Sequence, residues 1–275
     1  MAYPIVSAPY GLKPVNLIGG QVFSGSTRTL DIQYGYATNI FYGDVVTLAR
    51  GSVVRATIST TGAGVGVFLG CSFTDPVTKQ KRFSQYWPAG TLAGDAVAVI
   101  TDDPDTVFKA VVCSGTTVVG ATNKAMVGQN MAMIDTAAGN VNTGNSSNAI
   151  LAVVASGAPA TTAALPIRVM GVVPETAVTN SVPSTSTTTT TITIPASPVA
   201  ILAGSDVAFI AANGQLVETG SFVTTAVAVG GTSIALNLAS QVTIPASAVI
   251  VITQYPEVLV KLNFGVSSYY TATAA

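Results

Sequence analysis

The stretch GAGVGVFLGCSFTDPVTKQKRFSQYWPAG, residues 62–90, decides the fold class. Val65, Val67 and Leu69 alternate with Gly66, Phe68 and Gly70. A polar turn follows with Asp75-Pro76 and Lys79-Gln80-Lys81-Arg82, and Phe83, Gln85 and Trp87 resume the alternation. Successive side chains of a strand point to opposite faces, so a period of two that is broken by turn residues and then resumed predicts an antiparallel hairpin. The glycines of the first run suit a bulge or the close approach of a second backbone. They are not a phosphate loop, because no Lys-Ser/Thr pair follows, and the dinucleotide spacing is missing.

Outward from this hairpin, short strand-like runs recur at residues 29–33, 45–48, 53–58, 96–100, 107–112, 149–154 and 165–173, separated by Gly, Asn, Asp and Pro. Strands this short and this evenly spaced predict an all-β chain whose base is an antiparallel β-barrel or sandwich. Residues 120–135 carry Met126, Met131 and Met133 without clear periodicity and read as a loop or one short helix. Residues 135–148 read as a long polar turn region.

Residues 1–21 contain Pro4, Pro9 and Pro14 and predict an extended arm, since proline removes a ladder donor and biases its predecessor toward extended geometry. Such an arm lies either over a neighbouring subunit or on its own barrel. Composition changes at Pro174: no Lys or Arg occurs between Val169 and Val260, and residues 184–191 are a threonine-rich tract. Thr193-Ile194-Pro195-Ala196-Ser197 is echoed by Thr243-Ile244-Pro245-Ala246-Ser247, with an Asn213-Gly214 hairpin turn between them. Residues 175–254 therefore read as a small inserted β domain. The strand at residues 258–262 returns to a base domain of residues 22–174 plus 255–275.

The chain has 275 residues, of which 8% are charged and 49% hydrophobic, with a net charge of −1. Soluble domains carry roughly 25% charged residues. A surface with so little charge gains from being covered, which points to a subunit of an assembly. The mean hydropathy is +0.56, yet residues 149–167 contain Gly157, Pro159 and Pro166 and make a poor spanning helix. Residues 2–22 make a poor signal peptide, because Lys13 follows the apolar part. Cytoplasmic synthesis is expected. Cys71 and Cys113 both fall in strand-like runs and read as buried thiols rather than a bridge.

Chemistry is scarce. There is no histidine, which excludes a Ser-His-Asp triad and a His-Glu zinc site. Two cysteines cannot supply a four-thiolate zinc site within one chain. Asp102, Asp103 and Asp105 form the sole acidic cluster, and without calcium-hand spacing they read as a solvated turn around Pro104. No spacing pairs two carboxylates for hydrolysis. No enzyme activity, cofactor or metal is expected. Lys79, Lys81 and Arg82 beside Phe83, Tyr86 and Trp87 make a small basic and aromatic patch. On a chain with pI near 5.2 that patch predicts contact with an acidic protein neighbour in preference to nucleic acid.

Several phrases in order carry a resemblance. Pro9-Tyr10-Gly11-Leu12-Lys13-Pro14-Val15-Asn16, Gly19-Gly20, Gly25-Ser26-Thr27-Arg28, Gly35-Tyr36-Ala37-Thr38 and Gly43-Asp44-Val45-Val46 open it. Gly66-Val67-Phe68-Leu69-Gly70-Cys71, Gln85-Tyr86-Trp87-Pro88 and Asp102-Asp103-Pro104-Asp105 continue it, and Tyr255-Pro256-Glu257-Val258-Leu259-Val260-Lys261 closes it. Across residues 9–173 and 255–262 the chain resembles head decoration, or cement, proteins of tailed bacteriophages, cyanophages included. The resemblance implies a virion protein on the outer surface of the head. Its implied partners are the major capsid protein and further copies of itself, as a trimer or alternatively a dimer, with no nucleic acid and no membrane. The expected interface residues are Tyr3, Pro4, Pro9, Tyr10, Leu12, Lys13, Lys79, Lys81, Arg82 and Trp87. The rival expectation is a tail-associated or head-surface adhesin whose insert binds a host glycan.

Overall fold

The computed structural model describes residues 6, 8–58, 64–113, 119–134, 139–151, 165–183, 190–198, 200–237 and 248–263. Tyr3, Pro4, most of the threonine tract and the second Thr-Ile-Pro-Ala-Ser phrase lie outside them. The chain is all-β. Its strands form three sheets, and two of these make the base.

The first sheet contains β2 (Arg28–Asp31), β3 (Val45–Ala49), β4 (Ser52–Arg55), β5 (Gly66–Thr74), β6 (Lys81–Ser84) and β7 (Val97–Thr101). Its order is β2-β7-β5-β3-β4, and a parallel bridge between Ile32 and Val53 brings the two edges together into a nearly closed barrel. The hairpin of the opening stretch is β5–β6, with Cys71 opposite Ser84 and Thr74 opposite Lys81. Strict alternation along β5 fails at one point. The register against β7 shifts between Phe68 and Gly70, and Gly70 sits at φ 145°. The bulge at this point places Phe68, Cys71 and Phe73 together in the barrel interior.

Trp87 fills the centre of that interior. It is 0% exposed, lies edge-on to Phe73 at 5.3 Å, and its Nε1–H donates to the Tyr36 carbonyl at 3.3 Å. The sequence expectation that Trp87 continues the hairpin and faces a partner is thus corrected. β6 ends at Ser84, and the chain then turns the indole inward, where burying a large apolar ring and still pairing its N–H is favourable.

The second sheet holds β1 (Lys13–Leu17), β8 (Thr106–Cys113), β9 (Asn130–Met131), β10 (Met133–Ile134), β11 (Ala149–Leu151), β12 (Ile167–Val172) and β19 (Glu257–Leu262). The order β10-β11-β8-β19-β12-β9 has β1 added along the first half of β8. One face, with Phe108, Ala110, Val112, Val169, Val258 and Val260, packs on Val45 and Val67 from the outside of the barrel. Val111 and Cys113 point the other way, toward Tyr10, Ile134 and Ala149. The second half of β8, residues 110–113, is therefore covered on both faces, which explains its unbroken apolar run. The methionine segment resolves into a single 3-10 turn, Lys124–Met126, followed by the short strands β9 and β10.

The third sheet is built from β13 (Val178–Pro183), β14 (Thr191–Thr193), β15 (Asp206–Ile210), β16 (Leu216–Val223), β17 (Ser233–Asn237) and β18 (Val249–Gln254), in the order β13-β18-β15-β16-β17-β14. It has its own core around Phe209, Ile201, Ile234, Ile250 and Ile252. The Asn213-Gly214 turn closes β15–β16, with Gly214 at φ 82° and Ala211 N–H donating to the Gln215 carbonyl at 2.8 Å. Val178 pairs with Gln254, so the chain enters and leaves this sheet at adjacent points.

Both cysteines are free and buried. Burial pushes the Cys71 thiol up to about 12 and the Cys113 thiol to about 11. Neither thiol is expected to react with a thiol reagent at pH 8 in the native protein, and both are expected to react once urea unfolds it. Trp87→Ala is expected to cost about 3–5 kcal/mol in urea unfolding, as large core truncations do. A cost below about 1 kcal/mol would contradict the central packing of this ring.

Candidate functional site

The candidate interface residues fall into two groups, and the structure treats them differently. The arm is held by its own chain. Gly11 N–H donates to the Asn148 carbonyl and Leu12 N–H to the Gly43 carbonyl, each at 3.0 Å. Leu12 is 1% exposed in the core between the two base sheets. β1 then runs antiparallel to β8, with Lys13 opposite Lys109.

A charged cluster fastens the same segment. Tyr10 OH donates to Glu257 Oε1 at 2.5 Å, and Lys109 Nζ lies 3.5 Å from Glu257 Oε2. Lys13 Nζ stands 4.3 Å from the centroid of the Tyr10 ring, a cation–π arrangement. Glu257 is 2% exposed, so its charge must be met by these partners. Burial, and then the hydrogen bond and negative charge of Glu257, raise the Tyr10 phenol far above its ordinary range. Of the two placements open to the arm, its described part takes the intramolecular one. Pro9, Tyr10 and Lys13 keep partial exposure, whereas Leu12 offers nothing to a partner.

The hairpin group is different. Lys81 Nζ pairs with Asp95 Oδ2 at 2.8 Å, and Arg82 NH1 pairs with Asp75 Oδ2 at 3.0 Å. Asp95 also accepts from the Thr74 amide at 2.9 Å and the Thr74 hydroxyl at 2.7 Å. The hydrogen bond from Lys81 and then those from Thr74 lower the Asp95 carboxyl well below the usual carboxylate range. Asp75 caps the turn by accepting from the Val77 amide at 2.8 Å and the Thr78 amide at 3.2 Å, and these bonds lead in lowering its pKa. Lys79 occupies the left-handed region at φ 60° and is exposed.

Two of the three cations of the basic patch expected from sequence are therefore neutralised, Arg82 by the hairpin's own Asp75 and Lys81 by Asp95 just before β7. What the hairpin presents instead is apolar. Val77 is 86% exposed and Phe83 85%. Phe83 belongs to the basic and aromatic patch without being among the expected interface residues, and the hairpin register accounts for its exposure: it stands opposite polar Ser72, one position off the inward-facing Cys71. Exposed Tyr34 and Leu92 form a further apolar spot at the barrel end, where the Leu92 side chain lies beside Gly35. The lone edge β6 is guarded by its two charged residues against indiscriminate strand pairing.

The acidic turn is structural. Arg28 pairs with Asp102 at 2.7 Å, Ser26 Oγ donates to Asp103 at 2.8 Å, and the Asp105 amide donates to Asp103 Oδ1 at 2.8 Å. Among the described residues no group of three His, Cys, Asp or Glu converges on a metal position. Among the described residues no helix is long and apolar enough to cross a membrane. No family model, curated protein or solved structure matches this chain.

Tyr10→Phe removes the hydroxyl donor from buried Glu257 and is expected to cost about 1–3 kcal/mol. Hydrogen exchange of the β1 amides should accelerate while amides in the barrel strands β5 and β7 keep their protection. Unchanged exchange in β1 would show that the tether does not hold the arm.

Proposed function

We propose that this chain is a structural component of a tailed-bacteriophage virion, a decoration or cement protein that binds the outer surface of the head and bridges major capsid subunits. The observation that carries the reading is the β5–β6 hairpin, which projects Val77 and Phe83 into solvent while Arg82 pairs with Asp75 of its own turn and Lys81 with Asp95 just before β7. An exposed aromatic flanked by self-satisfied charges gains from burial against a protein surface and pays little desolvation on docking. The ordered phrases that carry the resemblance to decoration proteins, the all-β base and the scarcity of charge support the same reading.

The physical role follows from repetition. A shell offers identical junctions many times over, and a self-associated cap that contacts several subunits at once raises its effective concentration at each. Each hairpin then contributes only modest affinity. The reading assigns no catalytic step to the chain, and its partners are the major capsid protein and further copies of itself, as a trimer or a dimer.

The test is sedimentation of the purified chain with undecorated heads, followed by cryo-electron microscopy of the pelleted particles. Ordered density at repeated junctions is expected, with Phe83→Asp losing about tenfold or more in retention while its urea midpoint stays unchanged. Bare heads with the wild-type chain would overturn head binding. Full retention of Phe83→Asp would move the contact off this hairpin.

A further inference from the structure

A cleft of about 400 Å³ lies where the third sheet meets the base, lined by Lys124, Asp206, Val207, Ala208, Gly220, Thr253 and Tyr255. Its floor is the outer face of three adjacent strands. Asp206 on β15 stands opposite Thr253 on β18, while Val207 between Asp206 and Ala208 points into the core. Ala208 and Gly220 are small, so the floor is left open. The wall comes from the base: the 3-10 turn that starts at Lys124, and Tyr255 just past β18.

The joint behind the cleft is tight. Gly204 sits at φ 82°, and a Cβ there would stand 2.5 Å from the Ala121 carbonyl oxygen. The amide of Thr122 donates to the Tyr255 carbonyl at 3.1 Å. The two walls are therefore fixed with respect to each other, and the cleft is preformed, as small-ligand sites commonly are.

Its polar groups are only partly used. Both Asp206 oxygens share the one backbone N–H of Lys124, at 3.3 and 3.2 Å. The Lys124 ammonium stands 6.0 Å from the centroid of the Tyr255 ring. Burial pushes the Asp206 carboxyl up to about 6, against the lowering effect of the Lys124 amide and charge. A half-desolvated carboxylate with a single shared donor has acceptor capacity left over.

We propose that this cleft binds a saccharide unit, with Asp206 accepting hydrogen bonds from adjacent sugar hydroxyls and Lys124 donating to a third oxygen. The choice of ligand class follows from the charges. A free anion meets the Asp206 carboxylate, a cation meets the Lys124 ammonium, and a purely apolar molecule would strand both. A neutral ring with neighbouring hydroxyls both donates and accepts, and its C–H face suits Ala208, Gly220 and the Tyr255 ring. A volume of about 400 Å³ holds one or two sugar rings. The site is remote in sequence from the β5–β6 hairpin and stands independently of head attachment.

The test uses the full chain, isotope-labelled for NMR, against glucose, galactose, mannose, N-acetylglucosamine and glucuronate, with glycine and lysine as zwitterionic controls. At least one of the neutral sugars at about 10 mM, a concentration that reveals millimolar affinity, should shift the amides of Lys124, Ala208, Gly220 and Thr253, whereas glucuronate, whose carboxylate meets that of Asp206, should bind more weakly. Asp206→Asn should lower that affinity about tenfold, and Ala208→Phe should abolish it by filling the floor, with spectra elsewhere unchanged and head retention intact. Lys124 and Tyr255 are the charged and titratable side chains that line the cleft beside Asp206. Because the ionised acid is the better acceptor, affinity should rise as pH climbs through about 6. No perturbation by any sugar, perturbation that survives both substitutions, or binding of the amino acids alone would overturn the assignment.

Discussion

The centre of the seven-stranded sheet is filled by the last described strand of the chain. β19 pairs with β8 along Glu257–Val260 and with β12 along Val258–Leu262, so neither half of that sheet reaches the other without it. Everything between Val178 and Gln254 must therefore leave the base and return before the core under Val258 and Val260 can close. Pairing of Val178 with Gln254 makes this return possible. Long-range pairing of this kind carries its loop-closure entropy before its contacts repay it, so a base of this topology folds late and as a unit.

The same strand governs the N-terminal segment. Glu257, at its first position, is buried among Tyr10 and Lys109, and the cation of Lys13 lies over the Tyr10 ring. A second buried carboxylate, Asp44, does comparable work on the barrel side. It accepts from the Phe41 amide at 2.8 Å, the Ser146 hydroxyl at 2.5 Å and Asn148 Nδ2 at 3.2 Å, with Arg55 Nε 3.3 Å away. A chain so poor in charge thus places two of its carboxylates inside, each facing partners from distant segments, although among the described residues Glu257 Oε2 accepts no hydrogen bond and has only the Lys109 ammonium at 3.5 Å. Such groups add little net stability compared with an apolar core, but a misregistered arm or loop would strand them. They act on specificity of the fold.

With those charges inside and others paired at the hairpin, the outer surface is left close to neutral. Apolar side chains that remain outside, Phe83 and Val77 above all, are the ones that the proposed reading assigns to contact with other proteins. The cleft beside Asp206 differs in kind, since its polar groups are gathered and underused rather than cancelled. One chain in this way presents exposed apolar side chains on the barrel and a polar recess at the joint.

All-β character, the β5–β6 hairpin and the Asn213-Gly214 turn were legible in the sequence, because alternation and turn chemistry act over a few neighbouring residues. Side-chain destinations were legible only in part. Trp87 looked like an exposed hairpin aromatic and is the centre of the barrel, since the bulge at Gly70 and the turn after Ser84 redirect the chain in ways that a period of two does not encode. Leu12 and Tyr10 looked available to a neighbour, but β8 and Glu257, nearly 100 and 250 residues away in sequence, claim them. Lys81 and Arg82 read as a basic patch because sequence lists charges without their partners, and Asp75 comes alongside only when the hairpin forms and Asp95 only when β7 pairs with β5. Local backbone preference was determined by the sequence itself. Burial, charge pairing and the cleft between Asp206 and Lys124 were decided by tertiary structure, because each depends on segments brought together only by long-range strand pairing.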